Sequence, residues 1–312
     1  MINIGIITPV LFSDESPSLL NKDDEGFIYS FIQEHPDYTI AVIDILSIES
    51  SGYCNLLDMA SGEVRKSKVD NYDVIHFLDL EIPMHEHQSL TSKWNLVFEK
   101  LDIIKTFAIP TINSVHAIKK MADKRYFDAF KKDPTLQQHL IPFEIVNFES
   151  LRKFKGENKI VKPANGESGK CVYNLKNITG TELSILSVQS DEFIVQPYIR
   201  KDKGKEYSIL FINGLFTLAV EKSFNDENSF KQTKIKPYTP TAHEQEVGLA
   251  FYRKLEINLD IFRFDFVKLN GTIRLMEMES ADPYHYADEN SSDYLQTLSN
   301  LYELKASEKI VL

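Results

Sequence analysis

The stretch Ile160-Val161-Lys162-Pro163-Ala164-Asn165-Gly166-Glu167-Ser168-Gly169 decides how this chain is read. A hydrophobic strand runs into Lys162, and Pro163 then withdraws a backbone donor and stops the ladder. The loop that follows carries Gly166 and Gly169. Glycine has no side chain, so such a loop lets backbone N–H groups approach phosphate oxygens. Lys162 adds a point charge beside it. The loop is not a P-loop, because Ala164 stands where the first glycine is needed and Cys171 where Ser or Thr is needed. Two further segments follow in order: Phe193-Ile194-Val195-Gln196-Pro197-Tyr198-Ile199, then Phe262-Arg263-Phe264-Asp265-Phe266 with Met276-Glu277-Met278-Glu279.

Side chains on a strand alternate faces. Phe262, Phe264 and Phe266 therefore share one face, and Arg263 and Asp265 the other. By the same rule Met276 and Met278 fall on one face and Glu277 and Glu279 on its opposite. Clustered carboxylates repel one another and need cations to stay ionised. Hard oxygen ligands of this kind suit Mg²⁺ bridged to substrate phosphates. A two-residue turn at Asn270-Gly271 would set Asp265 opposite Met276, on the wrong face. Facing Asp265 to Glu277 requires an odd-numbered loop centred on Gly271, made through a bulge. The alternative is an exposed hairpin with a solvated polar side.

The chain has 312 residues, enough for two or three subdomains, with 43% hydrophobic and 26% charged residues. A net charge of −11 disfavours a nucleic-acid-binding face but leaves room for ATP, where local lysines and a metal override the global field. No apolar run is long enough to span a bilayer, and the N-terminus starts as a strand without a signal-like region. Cys54 and Cys171 lie far apart, which fits a reducing cytoplasm. His85 and His87 are spaced like metal ligands, but no third ligand is visible.

Residues 1–112 read as an α/β domain with an open parallel sheet. Strands are expected at Ile2–Val10, Tyr38–Leu46, Tyr72–Leu78 and Ile109–Ile112, with helices at Lys22–His35 and Trp94–Lys105. Residues 113–195 form a central part: a connector, a helix capped by Asp123 with Tyr126, Phe127 and Phe130 as its apolar face, and a hairpin-like pair over Lys159–Leu175. Residues 196–312 read as α+β. Hairpins are expected around Asn213-Gly214 and within 261–279, with helices at His243–Leu255 and Asp293–Leu304. Ser223–Lys236 reads as a mobile polar loop.

Taken in order, these residues resemble the ATP-grasp superfamily of carboxylate–amine ligases, and within it the subgroup of the cycloserine-forming cyclo-ligase. The likeness rests on Gln196-Pro197, Glu206-Tyr207-Ser208, Arg263-Phe264-Asp265, and Glu277-Met278-Glu279 with Asp282-Pro283. It runs from about Asn113 to Tyr286. The resemblance implies an N-terminal open-sheet domain, a small lid subdomain and a C-terminal antiparallel-sheet subdomain. It implies that Lys124 and Lys162 hold ATP phosphates and that the loop Asn165–Lys170, with Gly166, Ser168 and Gly169, closes over them. Gln196, Pro197 and Tyr198 would recognise adenine, and Glu206 the ribose. Asp265, Glu277 and Glu279 would coordinate one or two Mg²⁺ ions, with Mn²⁺ as a substitute. Arg263 and Lys222 would serve the reaction, Arg263 at the acyl phosphate or tetrahedral intermediate.

The loop has only two glycines, Glu279 stands where many relatives have Asn, and Asp282 replaces a Glu. The implied activity is an ADP-forming carbon–nitrogen ligase acting through an acyl phosphate on small amino-acid-like or peptide substrates. No nucleic-acid or membrane partner is implied, and a homodimer through the N-terminal region is. A cyclo-ligase, a phosphotransferase and a non-catalytic nucleotide-binding scaffold are the other readings.

Overall fold

Strand β10 of the computed structural model, Lys159–Pro163, carries the opening stretch, and the chain around it forms three packed units. The structure describes residues 1–11, 18–19, 22–80, 89–165, 171–199, 205–224, 232–280 and 291–309. The stretch His85-Glu86-His87, the pair Asp282-Pro283, and Gly166, Ser168 and Gly169 lie outside them.

The first unit contains β1 (Ile2–Ile7), the short pair β2 (Val10–Leu11) and β3 (Ser18–Leu19), α1 (Lys22–Glu34), β4 (Tyr38–Ile43), β5 (Tyr53–Asp58), β6 (Val64–Lys68), β7 (Val74–Phe77), α2 (Leu90–Lys105) and β8 (Thr111–Ile112). Six strands pair in the order β6-β5-β4-β1-β7-β8. β4, β1, β7 and β8 are parallel, as expected from their Ile/Val-rich runs. To this parallel sheet β5 and β6 add antiparallel at one side. β5 buries Cys54, Leu56 and Leu57, whereas β6 is exposed or half-buried throughout and carries no apolar signature.

The central unit contains α3 (Val115–Met121), a single 3-10 turn Lys124–Tyr126, α4 (Phe127–Lys131), α5 (Pro134–Gln137), β9 (Glu144–Asn147), α6 (Phe148–Leu151), β10, β11 (Tyr173–Asn174), α7 (Gly180–Gln189) and β12 (Glu192–Pro197). Its sheet runs β11-β10-β12-β9, with β10 antiparallel to both neighbours. Val161, Phe193 and Val195 turn to the core of this unit. Ile160, Lys162, Ile194 and Gln196 lie on the other face, toward the third unit, since directly paired residues share a face.

The third unit contains β13 (Lys205–Ile212), β14 (Leu215–Phe224), β15 (Gln232–Pro237), α8 (Ala242–Lys254), β16 (Ile261–Leu269), β17 (Thr272–Glu279) and α9 (Ser291–Lys309). The strands are ordered β15-β14-β13-β16-β17. Part of the expected loop Ser223–Lys236 is thus strand, because β15 pairs with β14. One face of this sheet, with Phe211, Phe262, Phe264, Phe266 and Met278, packs on α4 and α8. On the opposite face Leu210, Ile212, Leu218, Val220 and Ile261 join a core with Ile4, Ile6, Phe31 and Leu298. The same face is therefore apolar where it meets the N-terminal sheet and α9, and polar where it leaves them. The site lies at that transition.

Asn113 locks the units together. It is buried, with φ 57°, a left-handed conformation that Asn tolerates better than most residues. Its Oδ1 accepts from the N–H groups of Asp260 (2.7 Å) and Ile261 (3.0 Å). Its Nδ2 donates to the carbonyls of Ile261 (2.8 Å) and Ser280 (2.5 Å). One side chain thus ties the start of β16 to the end of β17. Asn113→Ala leaves several buried backbone groups unpaired and should lower stability by about 2–4 kcal/mol. A urea midpoint equal to wild type would show that these bonds are replaced.

Candidate active site

The hairpin β16–β17 brings the acids together in a way the local pattern did not specify. The turn Asn270-Gly271 is tight, with φ of 50° and 78°, the left-handed pair that Asn-Gly favours. The expected odd-numbered loop is therefore corrected. The expected bulge is present, but it lies within β17. Asp265 pairs with Glu277 and Phe266 with Leu275, so Met276 is the extra residue. The bulge reverses the parity of the strand beyond it. Leu275 and Met278 both reach the core while Met276, expected on that face, is only half-buried. Glu277 and Glu279 thereby join Asp265 and Arg263 on the polar face, with Arg263 directly across from Glu279.

Asp265 is buried at the centre of a dense network. Arg263 grips it with two bonds, Nε to Oδ1 at 2.9 Å and Nη2 to Oδ2 at 3.0 Å. Ser208 Oγ donates to Oδ1 at 2.6 Å. Lys222 Nζ lies 3.4 Å from both Asp265 Oδ2 and Glu206 Oε1. Burial works against the ionised carboxyl, but Arg263, Lys222 and Ser208 outweigh it and hold Asp265 at about 2. Its contribution to stability is thus present above the normal carboxylate range and lost as pH falls through about 2.

The second cluster surrounds Glu277. Lys124 Nζ pairs with Glu277 Oε1, and the Lys124 side chain is 9% exposed against 26% for Glu277, which faces the open side. Burial opposes the charge of Lys124, yet Glu277 and Glu279 raise its pKa. Lys162 is buried too, with Nζ 5.4 Å from the Phe127 ring centre. Its pKa is lowered, first by burial and also by Lys124, which Glu277 only partly offsets. Glu277 stays low because Lys124 and Lys162 overcome its desolvation. Glu279 is pushed up to about 8, first by burial and then by the charge of Glu277.

Glu279 has a testable consequence. A carboxyl raised in the folded state favours folding below its unfolded value of 4.5, and that contribution is lost as pH rises through about 8. Without added metal, the melting temperature should fall across this window. Glu279→Gln should flatten the fall, and an unchanged profile in that variant would assign it to another group.

The remaining expected residues among those described lie on and next to β12. Gln196 is 2% exposed and faces the side of β12 that Lys162 shares through β10. Its Nε2 finds no hydrogen-bond partner among the described residues. A buried amide donor left open is costly unless a ligand meets it. Pro197 is exposed and Tyr198 half-buried at the strand end. Asn165 donates from Nδ2 to Thr91 Oγ1 at 3.3 Å and accepts from Ser190 Oγ at 3.0 Å, and Lys124 N–H donates to the Ala164 carbonyl at 2.7 Å. The residues just ahead of the glycine loop are therefore fastened to α2, to the end of α7 and to the turn bearing Lys124.

Solved structures with a similar fold align over nearly the whole chain. A D-cycloserine synthetase, DcsG, aligns at TM-score 0.66 and 15% identity over 96% of this chain and 99% of its own. A D-alanine–D-alanine ligase from Bacillus anthracis, complexed with ATP, aligns at TM-score 0.62 and 15% identity over 99% and 100%. The macrocyclase MdnC from Microcystis aeruginosa MRC, bound with precursor peptide MdnA, aligns at 0.59 and 12% over 96% and 99%. The chain has the ATP-grasp fold. No protein-family profile matches the sequence, and no curated protein matches it in a sequence search.

Within this ATP-grasp fold the acids do not form a ready-made cage. Among the described residues no three of His, Cys, Asp and Glu converge as a metal site. Asp265 is occupied by Arg263, Ser208 and Lys222, and Glu277 by Lys124. Mg²⁺ commonly needs only one or two carboxylates, with substrate phosphates and water supplying the rest. The donor set fits that mode, since Glu277 and Glu279 are two oxygen-donor acids whose mutual repulsion a cation would relieve. No helix among the described residues is long and apolar enough to cross a membrane.

The sequence reading overlooked Ser208 as a ligand of Asp265, Asn113 as the inter-unit lock, and the hydroxyl of Tyr126. Ser208 lies within the quoted Glu-Tyr-Ser triplet on the same face as Glu206, so strand parity alone could have found it.

Proposed function

We propose that this protein is an ATP-dependent ligase that joins a carboxylate to an amine and releases ADP. One observation carries the reading. Lys124 and Lys162, from separate elements, both act on the charge of Glu277 beside Glu279, Lys124 by a direct ion pair. Such a pairing suits a polyphosphate with its counter-cation and has no use in a purely structural core, where desolvating several charges costs more than apolar packing. The ATP-grasp fold and the open amide of Gln196 support it.

In this reading Lys124 and Lys162 bind the phosphate oxygens, Gln196 with Pro197 and Tyr198 holds the adenine, and Glu206 the ribose. Glu277 and Glu279, with Asp265, would hold Mg²⁺, which would neutralise phosphate charge. A substrate carboxylate attacks the γ-phosphorus and the bond to the ADP oxygen breaks. An amine then attacks the acyl carbon of the resulting acyl phosphate, and phosphate leaves. Phosphoryl transfer of this kind needs positioning and charge neutralisation, not a protein nucleophile. Arg263, fixed by Asp265, and Lys222 would stabilise the charge that develops on the transferring groups.

The substrates belong to the amino-acid or peptide class, as do those named for the structural neighbours. The test is ADP release by purified protein with Mg-ATP against panels of amino acids, dipeptides and amines, paired with calorimetry of nucleotide binding. Release that requires both carboxylate and amine supports the ligase. Release without an amine supports a phosphotransferase, and failure to bind adenine nucleotide at millimolar Mg²⁺ removes the proposal.

A further inference from the structure

β17 is the edge strand of its sheet, so half of its backbone groups point away from β16. An edge strand left open is free to shift. Here the outer edge is fastened on both sides of the bulge at Met276. Before it, Leu275 N–H donates to the His139 carbonyl at 2.8 Å. After it, one side chain satisfies both backbone groups of Met278. The Met278 N–H donates to Tyr126 Oη at 3.0 Å, and the Tyr126 hydroxyl donates to the Met278 carbonyl at 3.1 Å. Tyr126 is 6% exposed, and its ring stacks on Phe127 with centroids 4.9 Å apart.

The turn that presents this hydroxyl also presents Lys124, which pairs with Glu277, one residue before Met278. The residue after Tyr126 is Phe127, whose ring lies under Lys162. Three of the four residues from Lys124 to Phe127 thus touch the acidic strand by charge, the same strand by main-chain hydrogen bonds, and the second lysine by its cation–π contact. We propose that Tyr126 is a positioning residue. Its hydroxyl holds the Glu277-Met278-Glu279 segment at a set distance from Lys124 and Lys162, so that the acids and the lysines meet a metal–nucleotide together. A phenyl ring in its place would fill the same space in the core but leave the backbone groups of Met278 unheld. The proposal rests on the functional reading above.

The test uses the full chain and Tyr126→Phe, with Mn²⁺ and a non-hydrolysable ATP analogue as probes. Removal of an outer partner that orients a metal-binding segment commonly weakens metal affinity by 10–100-fold. Mn²⁺ affinity in the presence of the analogue should therefore fall about 10-fold in the variant. Affinity for the metal-free analogue should stay within about twofold, since no nucleotide contact is removed. A lowered melting temperature with unchanged Mn²⁺ affinity would overturn the proposal and leave Tyr126 a packing residue.

Amide exchange gives a second readout independent of metal. In wild type the Met278 amide should exchange slowly before any nucleotide is added, and faster in the variant. Fast exchange in wild type until Mn²⁺ and analogue are added would also overturn the proposal, because the strand would then be ordered by its ligand. A wild-type protein that takes up no Mn²⁺ with the analogue would sink the ligase reading together with this one. Wild type that binds while the variant matches it would sink this one alone.

Discussion

Glu277→Gln should reduce ATP turnover by on the order of 10²–10³-fold or more while the protein remains folded, since one preorganised charge at a transferring group is worth about that much. Glutamine keeps the volume and an acceptor oxygen for Lys124, so the ion pair becomes a hydrogen bond and the hairpin retains its packing. What is lost is the negative charge between Lys124 and Lys162. Without it the cleft becomes more cationic. The variant should therefore bind metal-free nucleotide at least as tightly as wild type, while the gain that Mg²⁺ gives to binding and turnover disappears. Calorimetry with and without Mg²⁺ separates the two effects. Turnover near wild type would remove Glu277 from the reaction, and weak metal-free binding would indicate a disturbed fold instead.

Lys162→Ala should also cost on the order of 10²–10³-fold in turnover, but with the opposite signature in binding. Here the lost charge belongs to the phosphate side, so nucleotide affinity should fall with or without Mg²⁺. Stability should not fall. The folded protein holds Lys162 below its ordinary pKa through burial and the nearby Lys124. A base lowered in this way weighs against folding at pH values below its folded value, and the penalty disappears above the ordinary lysine value of 10.5. Near neutral pH the alanine variant should thus melt at the wild-type temperature or higher, apart from the lost contact with Phe127. A drop of several degrees would mark Lys162 as a packing residue. Unaltered turnover would take it out of the phosphate site.

Much of the architecture was legible before any coordinates. The Ile-rich runs of β1 and β4 and the stripe Tyr294, Leu295, Leu298 and Leu301 on α9 carried the correct periodicity, and they pack together in one core. The edge strand β6 was missed because it joins an existing sheet through backbone pairing and buries none of its side chains, and β5 beside it mixes buried Cys54, Leu56 and Leu57 with exposed Tyr53 and Asn55. On β6 the lack of burial leaves no alternating signal to read.

The candidate site was legible as a set of residues and much less so as an arrangement. Asp265, Glu277 and Glu279 share one sheet face, Lys124 pairs with Glu277, and Lys162 and Gln196 share a face of the neighbouring sheet, but these pairings follow from contacts across the chain. The register shows this best. Asn270-Gly271 identified a hairpin, whereas the residue extruded to align the acids is Met276, which looks like its neighbour Met278 in every local respect. Tyr126 shows it again. Its ring obeys the apolar pattern of the connector, while its hydroxyl closes a strand edge 152 residues away.

Alternation along strands, turn chemistry and the placement of glycine, proline and charge act over a few residues, and those features specified the strands, hairpins and candidate charges directly. Which carboxylate meets which lysine, and how far each is drawn from its usual protonation, depends on what is brought near it and on how much water is removed. Both are properties of segments that touch only after the three units have packed, because desolvation and Coulomb interaction follow distance in space and not separation along the chain.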